Sequence, residues 1–494
     1  MRRAAATVVV LGFALALPSR SVEAADAVGA RVGDVVAARA SKSVRVSAGV
    51  WDATTGARLH ATNADVPRRP ASVAKIATTA AAWLALGPAH ELTTEVLAEA
   101  APDGDGVVEG SLYVRGGGDP GFSEHLHPEG TAGALRDLAR AVAAAGVRRV
   151  RGDLVLDATR YVGPERQASW GWKPGHWADY MAPVTALTLN DACADIRIVP
   201  GAAAGAAATV TVEPPTTLLT IAGRVATGAA KTKNDATIGA ISSSGRVPVQ
   251  GSIPLGSAGT RTAVAAVDPV AYFGEAFRAA LLAEGVRVDG ADVPVRCPSP
   301  PGARPGAPPA IAPGKGLVPI ARRGTSVARI AAVANTRSQN LFAELLCREV
   351  GIARRGEGSF DAGGAAVGEV HGYAAGDPAF RLVDGSGLAR DDSVTADAIG
   401  RILLAMAARP DAGAFRDTLA RPGDPEGTLK DRFEGPKFQG RVFAKTGTLR
   451  DTKSLAGYVL GRSGRAYAFV VLCEGDNGRA RDLQDAVVEV LVGE

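Results

Sequence analysis

Apolar and polar positions alternate along Val44–Trp51 and again along Arg58–Ala61, with the turn-forming run Asp52-Ala-Thr-Thr-Gly56 between them. A period of two predicts strands with one buried face, and the intervening residues predict a hairpin. From Ser72 to Leu86 the chain becomes alanine-rich and closes on Gly87-Pro88, which predicts a helix with Ser72 as its N-cap and a glycine–proline stop. Lys75 follows three residues later, so both side chains project from one face of that helix.

Between about 98 and 315 the texture is one of short strands parted by glycine turns, as in Ser111–Arg115, Leu154–Leu156, Thr209–Val212 and Leu218–Ala222. This predicts inserted, mostly β structure, ending in a proline-rich run from Cys297 to Pro313 that reads as a stiff linker. Helical spacing returns after Thr325, where Val327–Ala334 and Asn340–Val350 predict two helices with Ser338 and Asn340 at the turn between them. Arg441–Ala444, Ser454–Leu460 and Ala466–Cys473 then alternate like antiparallel neighbours, and Arg479–Val492 predicts a closing helix. Helices and sheet contributed by both ends of the chain imply a discontinuous α/β domain interrupted by an insertion.

At 494 residues the chain exceeds one ordinary domain; roughly 100 to 200 residues per domain implies two to four. A 21% content of charged residues and a formal charge of +4 fit a soluble globular protein and exclude the clustered basic footprint of a nucleic-acid binder. Met1-Arg2-Arg3, the apolar run Ala4–Leu17 and Val22-Glu23-Ala24 before Ala25 read as a secretory signal of residues 1–24, with an uncleaved membrane anchor as the alternative. Export to the periplasm or the extracellular cell envelope follows, and the mature chain would carry a formal charge of +2 in place of +4. Nothing later is long and apolar enough to span a bilayer. Cys193, Cys297, Cys347 and Cys473 allow disulfides or buried free thiols, and their spacing matches no zinc site.

Three short motifs carry the chemistry: Ser72-Val-Ala-Lys75, Ser338-Gln-Asn340 and Lys445-Thr-Gly447. A serine hydroxyl is a weak nucleophile until a base takes its proton, and a lysine serves when burial or like charge lowers its pKa. Each motif alone is common. Their order and setting are what count: a helix start, a helix junction, and a strand running into glycine.

With Pro70-Ala-Ser-Val-Ala-Lys75, Gly116-Gly-Gly-Asp-Pro120, Arg151-Gly-Asp-Leu-Val-Leu156, Asp384-Gly-Ser-Gly-Leu388 and Ala444-Lys-Thr-Gly-Thr-Leu449, nearly all the mature chain resembles one family. It is similar to the D-alanyl-D-alanine carboxypeptidase/endopeptidases among low-molecular-mass class C penicillin-binding proteins, peptidase family S13. The resemblance implies an α/β fold: a discontinuous serine β-lactamase/transpeptidase-like domain, antiparallel sheet plus helices, with large, mostly β inserted domains. The penicillin-binding domain would comprise residues 25–97 and 316–494, and residues 98–315 would form two inserted domains. It further implies that Ser72 attacks the terminal D-Ala-D-Ala bond of a peptidoglycan stem peptide. Lys75 would act as base, held partly neutral by Lys445, and Ser338 would relay a proton to the leaving amine. The N–H groups of Ser72 and Thr448 would form the oxyanion hole. Asn340, Thr446, Gly447 and Thr448 would hold the substrate, the two threonine hydroxyls and Lys445 taking its carboxylate. β-Lactams would acylate the same serine. Tyr180, with Trp177, would border the cleft or else pack in an aromatic cluster between domains. Gln339 stands where many relatives carry aspartate, which implies tuning and no loss of activity.

Ser386 lacks the spacing of a nucleophile elbow and has no histidine after it, so Asp384-Gly-Ser-Gly387 reads as a glycine turn lining the cleft. Gly116-Gly-Gly118-Asp-Pro-Gly121 matches a dinucleotide fingerprint in form, but Pro120 breaks it. The histidines include no H-E-x-x-H pair, and His125 with His127 is expected in a solvated loop; neither metal nor cofactor is implied. The rival functions are a β-lactamase-like hydrolase and a non-catalytic cell-wall scaffold.

Overall fold

The computed structural model describes residues 19–41, 43–297 and 316–494. The leader assigned to residues 1–24 lies outside the described residues as far as residue 18, and the proline-rich linker lies outside them from residue 298 onward.

One five-stranded antiparallel sheet joins the two ends of the chain, in the order Arg58–Thr62, Val44–Asp52, Ala466–Gly475, Thr452–Leu460, Val442–Leu449. Its alternation sorts side chains to two faces. Leu455, Val459, Phe469, Val471 and Cys473 pack with Val28, Val32 and Val36 of the helix Ser19–Arg39 and with the closing helix Asn477–Gly493. Ala456, Tyr458, Ala468, Val470 and Leu472 pack on the other face, in the core that contains the helices Ala74–Ala85 and Ala396–Ala407. The hairpin turn is held by Asp52, whose carboxylate accepts from the Thr54 and Thr55 amides at 2.9 and 2.8 Å.

A second five-stranded sheet runs Asp292–Val295, Leu154–Asp157, Leu112–Gly116, Glu91–Ala98, Val318–Ser326, with both parallel and antiparallel neighbours. The helices Gly130–Ala144 and Pro269–Ala283 pack beside it, each 15 residues long, in a region whose glycine-turn pattern predicts mostly strands. The second of these carries ordinary start signals: Asp268 accepts from the Ala271 amide at 2.9 Å and Pro269 opens the helix. Smaller sheets, including Cys193–Val199 with Thr209–Glu213 and Thr260–Ala265, complete the insertion. All four thiols are free.

The insertion is pinned to the helix Asn340–Arg355, whose buried face holds Arg348 and Glu349. The Arg348 guanidinium donates to the carbonyls of Val162, Gly358 and Pro164 at 3.3, 3.2 and 2.8 Å and lies 4.2 Å from the Phe360 ring centre. Glu349 takes a two-pronged contact from Arg160 at 2.7 and 2.5 Å and a third from the Tyr161 hydroxyl at 3.0 Å. Arg348→Met keeps the packed stem but leaves three carbonyls without a donor, so a loss of about 3 kcal/mol in guanidinium unfolding is expected; an unchanged midpoint would show that these contacts carry no net stability.

Candidate active site

The Ala74–Ala85 helix is preceded by a tight turn, Ala71–Val73, in which Ala71 has a φ of +48°. Ser72 lies in this turn and does not cap the helix as expected. Its oxygen is engaged elsewhere: the Lys75 ammonium donates to Ser72 Oγ at 2.9 Å. Lys75 Nζ also donates to Asn340 Oδ1 at 2.7 Å and to the Ser386 carbonyl at 2.8 Å, which uses all three ammonium N–H groups. Lys75 therefore rests in its charged form and must lose one of its own three protons before it can act as a base.

Burial pushes Lys75 down from its ordinary 10.5 to about 8, while Asp384, Glu344 and Asp392 pull the other way. At pH 7 roughly a tenth would be neutral. The expected influence of Lys445 runs in the reverse direction: burial lowers Lys445 well below its ordinary value, and the charge of Lys75 lowers it further. The charge of Lys75 thus opposes the protonation of Lys445. Its Nζ donates to Ser338 Oγ at 2.9 Å and to the Thr446 carbonyl at 2.8 Å.

Ser338 occupies the junction between the helices Val327–Thr336 and Asn340–Arg355 with a φ of +65°. Such a conformation costs a non-glycine residue about 1 kcal/mol or more and is kept by its surroundings. Asn340, two residues on, is held from both ends, by Lys75 on Oδ1 and by its own Nδ2, which donates to the Tyr180 carbonyl at 2.9 Å.

Beneath Lys75 lies a group that sequence reasoning missed. Asp384 Oδ1 accepts from the Ser386 and Gly387 amides at 3.1 and 2.7 Å, and Oδ2 from the Ala389 amide at 2.8 Å and Trp170 Nε1 at 2.7 Å. Glu344 accepts from the Gly385 and Ser386 amides at 2.8 and 2.9 Å. Burial first, then Asp384, raises both Glu344 and Asp392 above the usual carboxylate range. One signal was available: Glu344 follows Asn340 by one helical turn and so shares its face. Gly387 has a φ of +81°, and a Cβ there would stand 1.9 Å from the Ala71 carbonyl, so the turn needs glycine to approach the segment that carries Ser72.

A cleft of about 670 Å³ opens over these groups, lined by Ser72, Ser338, Asn340, Tyr180, Met181, Trp170, Gly387, Leu388 and Thr448. Arg69, Arg390 and Arg450 lie on its rim, and Arg69 is tied to Asp451 at 2.8 Å. Thr448 belongs to the edge strand Val442–Leu449, and Gly447 packs so closely that an added Cβ would be 3.0 Å from the Ser72 nitrogen. Thr446 opens on a neighbouring depression beside Lys453. Tyr180 is exposed at the cleft; Trp177 sits apart, edge-on to Trp172 with ring centres 5.7 Å apart and Arg166 over both rings. The His125 and His127 side chains are each only 11% exposed, against Asp191 and Asp137 at 3.0 Å, and not in a solvated loop.

A model of the D-Ala-D-Ala carboxypeptidase 3 (S13) family matches residues 32–492. The chain belongs to that family. It is a serine D-Ala-D-Ala carboxypeptidase, and the family acts on cell-wall peptidoglycan. Among its relatives, a D-alanyl-D-alanine carboxypeptidase of Actinomadura sp. (strain R39) is 32% identical over 98% of this chain and 89% of its own length. Carboxypeptidase DacB of Mycolicibacterium smegmatis is 29% identical, covering 90% and 79%. Penicillin binding protein 4 (dacB) of Haemophilus influenzae shares the fold at a TM-score of 0.73 and 22% identity, over 92% of this chain and 97% of that one. A second structure of that protein, complexed with a β-lactam, matches at 0.68. Among the described residues no helix is long and apolar enough to cross a membrane.

The pKa of Lys75 has a consequence for rate. The S13 carboxypeptidase should show kcat/KM rising with pH toward a plateau above about 8, as Lys75 loses its proton. Asp384→Asn removes the largest attraction for that proton and should move the rising limb to lower pH. A limb that stays in place would show that Lys75 is not the group titrating.

Proposed function

We propose that this carboxypeptidase trims peptidoglycan stem peptides through an ester on Ser72. The observation that carries this reading is the 2.9 Å contact between Ser72 Oγ and Lys75 Nζ at the floor of the large cleft. When Lys75 is neutral the Ser72 proton passes to Nζ while Oγ bonds to the penultimate carbonyl carbon. Amides of Ser72 and Thr448 receive the oxyanion; edge-strand position leaves alternate N–H groups of Val442–Leu449 without a neighbouring strand, which suits that role. Collapse breaks the C–N bond; Ser338, fixed by Lys445, gives its proton to the nitrogen of the departing D-alanine and takes up the one that Lys75 received from Ser72. Water then cleaves the ester. Asn340 and Tyr180 flank the stem peptide, and Thr446, Gly447 and Thr448 receive its end.

Three further elements belong to the same reading. Residues 1–24 direct export to the periplasm or extracellular envelope. Residues 25–97 with 316–494 form the penicillin-binding domain around two inserted domains in 98–315. Cross-linked stems are cut as well as free ends, and β-lactams acylate Ser72, as the β-lactam complex of the Haemophilus influenzae protein suggests by its fold.

Incubation with a labelled penicillin should place a long-lived mass on the Ser72 peptide, and Ser72→Ala should lose both the label and D-alanine release, the latter by at least about a thousandfold. Release of D-alanine by the Ser72→Ala chain would overturn the assignment. Rapid turnover of penicillin would move the reading to a β-lactamase-like hydrolase.

A further inference from the structure

A stem peptide that ends in a free carboxylate brings a full negative charge to the Thr448 end of the cleft, and that charge needs a counter-charge. Lys445 is badly placed to supply it. Its ammonium is completely buried and already committed to Ser338 Oγ and the Thr446 carbonyl. A different cation stands at the right point. Lys453 lies directly opposite Thr448 in the strand register, and its Nζ donates to Thr448 Oγ1 at 3.0 Å. Thr448 lines the cleft that contains Ser72, so the Lys453 ammonium is one hydroxyl away from the substrate's path. One of its three N–H groups is used there.

Behind Lys453 is a depression of about 200 Å³ lined by Lys430, Arg432, Arg481, Thr446 and Asp431. Arg432 is held by Asp485 at 2.6 Å, and Arg481 lies 3.8 Å from the same carboxylate. Lys453 forms no ion pair among the described residues, and the guanidiniums of Arg432 and Arg481 add to its positive field. The depression therefore has an excess of positive charge that the protein's own carboxylates do not match, open beside the hydroxyl of Thr446.

We propose that Lys453 anchors the terminal carboxylate of the substrate, together with the Thr448 hydroxyl, and that Arg432 and Arg481 extend the attraction. This rests on the reading of Ser72 as nucleophile. The division of labour is chemical: Lys445 orients Ser338 within the acylation machinery, and Lys453 selects chains that end in a carboxylate.

The test compares a diacylated L-Lys-D-Ala-D-Ala peptide with its C-terminal amide. Lys453→Gln should lower kcat/KM on the free acid by about 10- to 100-fold, the scale of one lost charge-assisted hydrogen bond, and leave the slower cleavage of the amide within about twofold. Lys453→Arg should recover most of the loss, which a fold defect would not. Equal loss on acid and amide, or no loss on the acid, overturns the anchor while Ser72 labelling by penicillin stays intact. If the wild-type chain cleaves neither peptide and Ser72 takes no label, the nucleophile assignment itself fails, and the anchor with it.

Discussion

Everything about this site depends on keeping one ammonium ion out of water. Lys75 is wholly buried, and the three oxygens that receive its protons come from Ser72, Asn340 and Ser386, three segments brought together only by the fold. Taking a charged group from water costs several kcal/mol, and satisfied donors recover only part of that. The cost explains the fall to about 8, which brings a lysine within reach of working as a base near neutral pH. The sign for stability follows directly. An unfolded chain would hold the proton up to 10.5, so the penalty from Lys75 is full below about 8 and is relieved as pH rises through that interval.

The carboxylates below Lys75 limit the fall. Without Asp384, Glu344 and Asp392, burial alone would take the ammonium lower still. Burial first, and then the charge of Asp384, pushes Glu344 and Asp392 up, so both resist ionising beside it. Lys445 lies on the strand side, its own proton opposed by Lys75. The Asp384 turn acts as more than a glycine-rich lining: its carboxylate orders four donors, and its Ser386 carbonyl reaches Lys75.

Much of this architecture was legible in the chain because it is local. Period-two runs at Val44 and Ala466 became neighbouring strands of one sheet, and the serine and asparagine motifs sit at helix starts as the pattern predicts, while the lysine motif lies inside the longer strand Val442–Leu449. What escaped depended on distance along the chain. Ser72 is the local exception: serine favours the cap position, but Lys75, three residues along, takes its oxygen and the helix starts at Ala74. Nothing local marks Ser338 for a left-handed conformation, or Asp384 for burial beneath a lysine 309 positions earlier in the numbering. The helices Gly130–Ala144 and Pro269–Ala283 were hidden by the glycines around them, although Asp268-Pro269 was a sound start signal.

The middle residue of the second motif shows how the insertion participates without touching the reacting atoms. Gln339 Nε2 donates to Asp191 Oδ2 at 2.8 Å, an atom also met by His125 at 3.0 Å, and the Asn190–Ala192 turn that presents Asp191 has positive φ throughout. Tyr180, from the same region, supplies the carbonyl that holds Asn340. Successive residues of one junction are therefore gripped by the insertion while Ser338 and Asn340 face the lysines. A side chain at the middle position points to the insertion and away from the cleft lining, so its identity bears on how firmly the junction is held and not on which atoms react. The strained conformation of Ser338 requires such a grip, since its neighbours must keep it in a region of backbone space that it would otherwise leave.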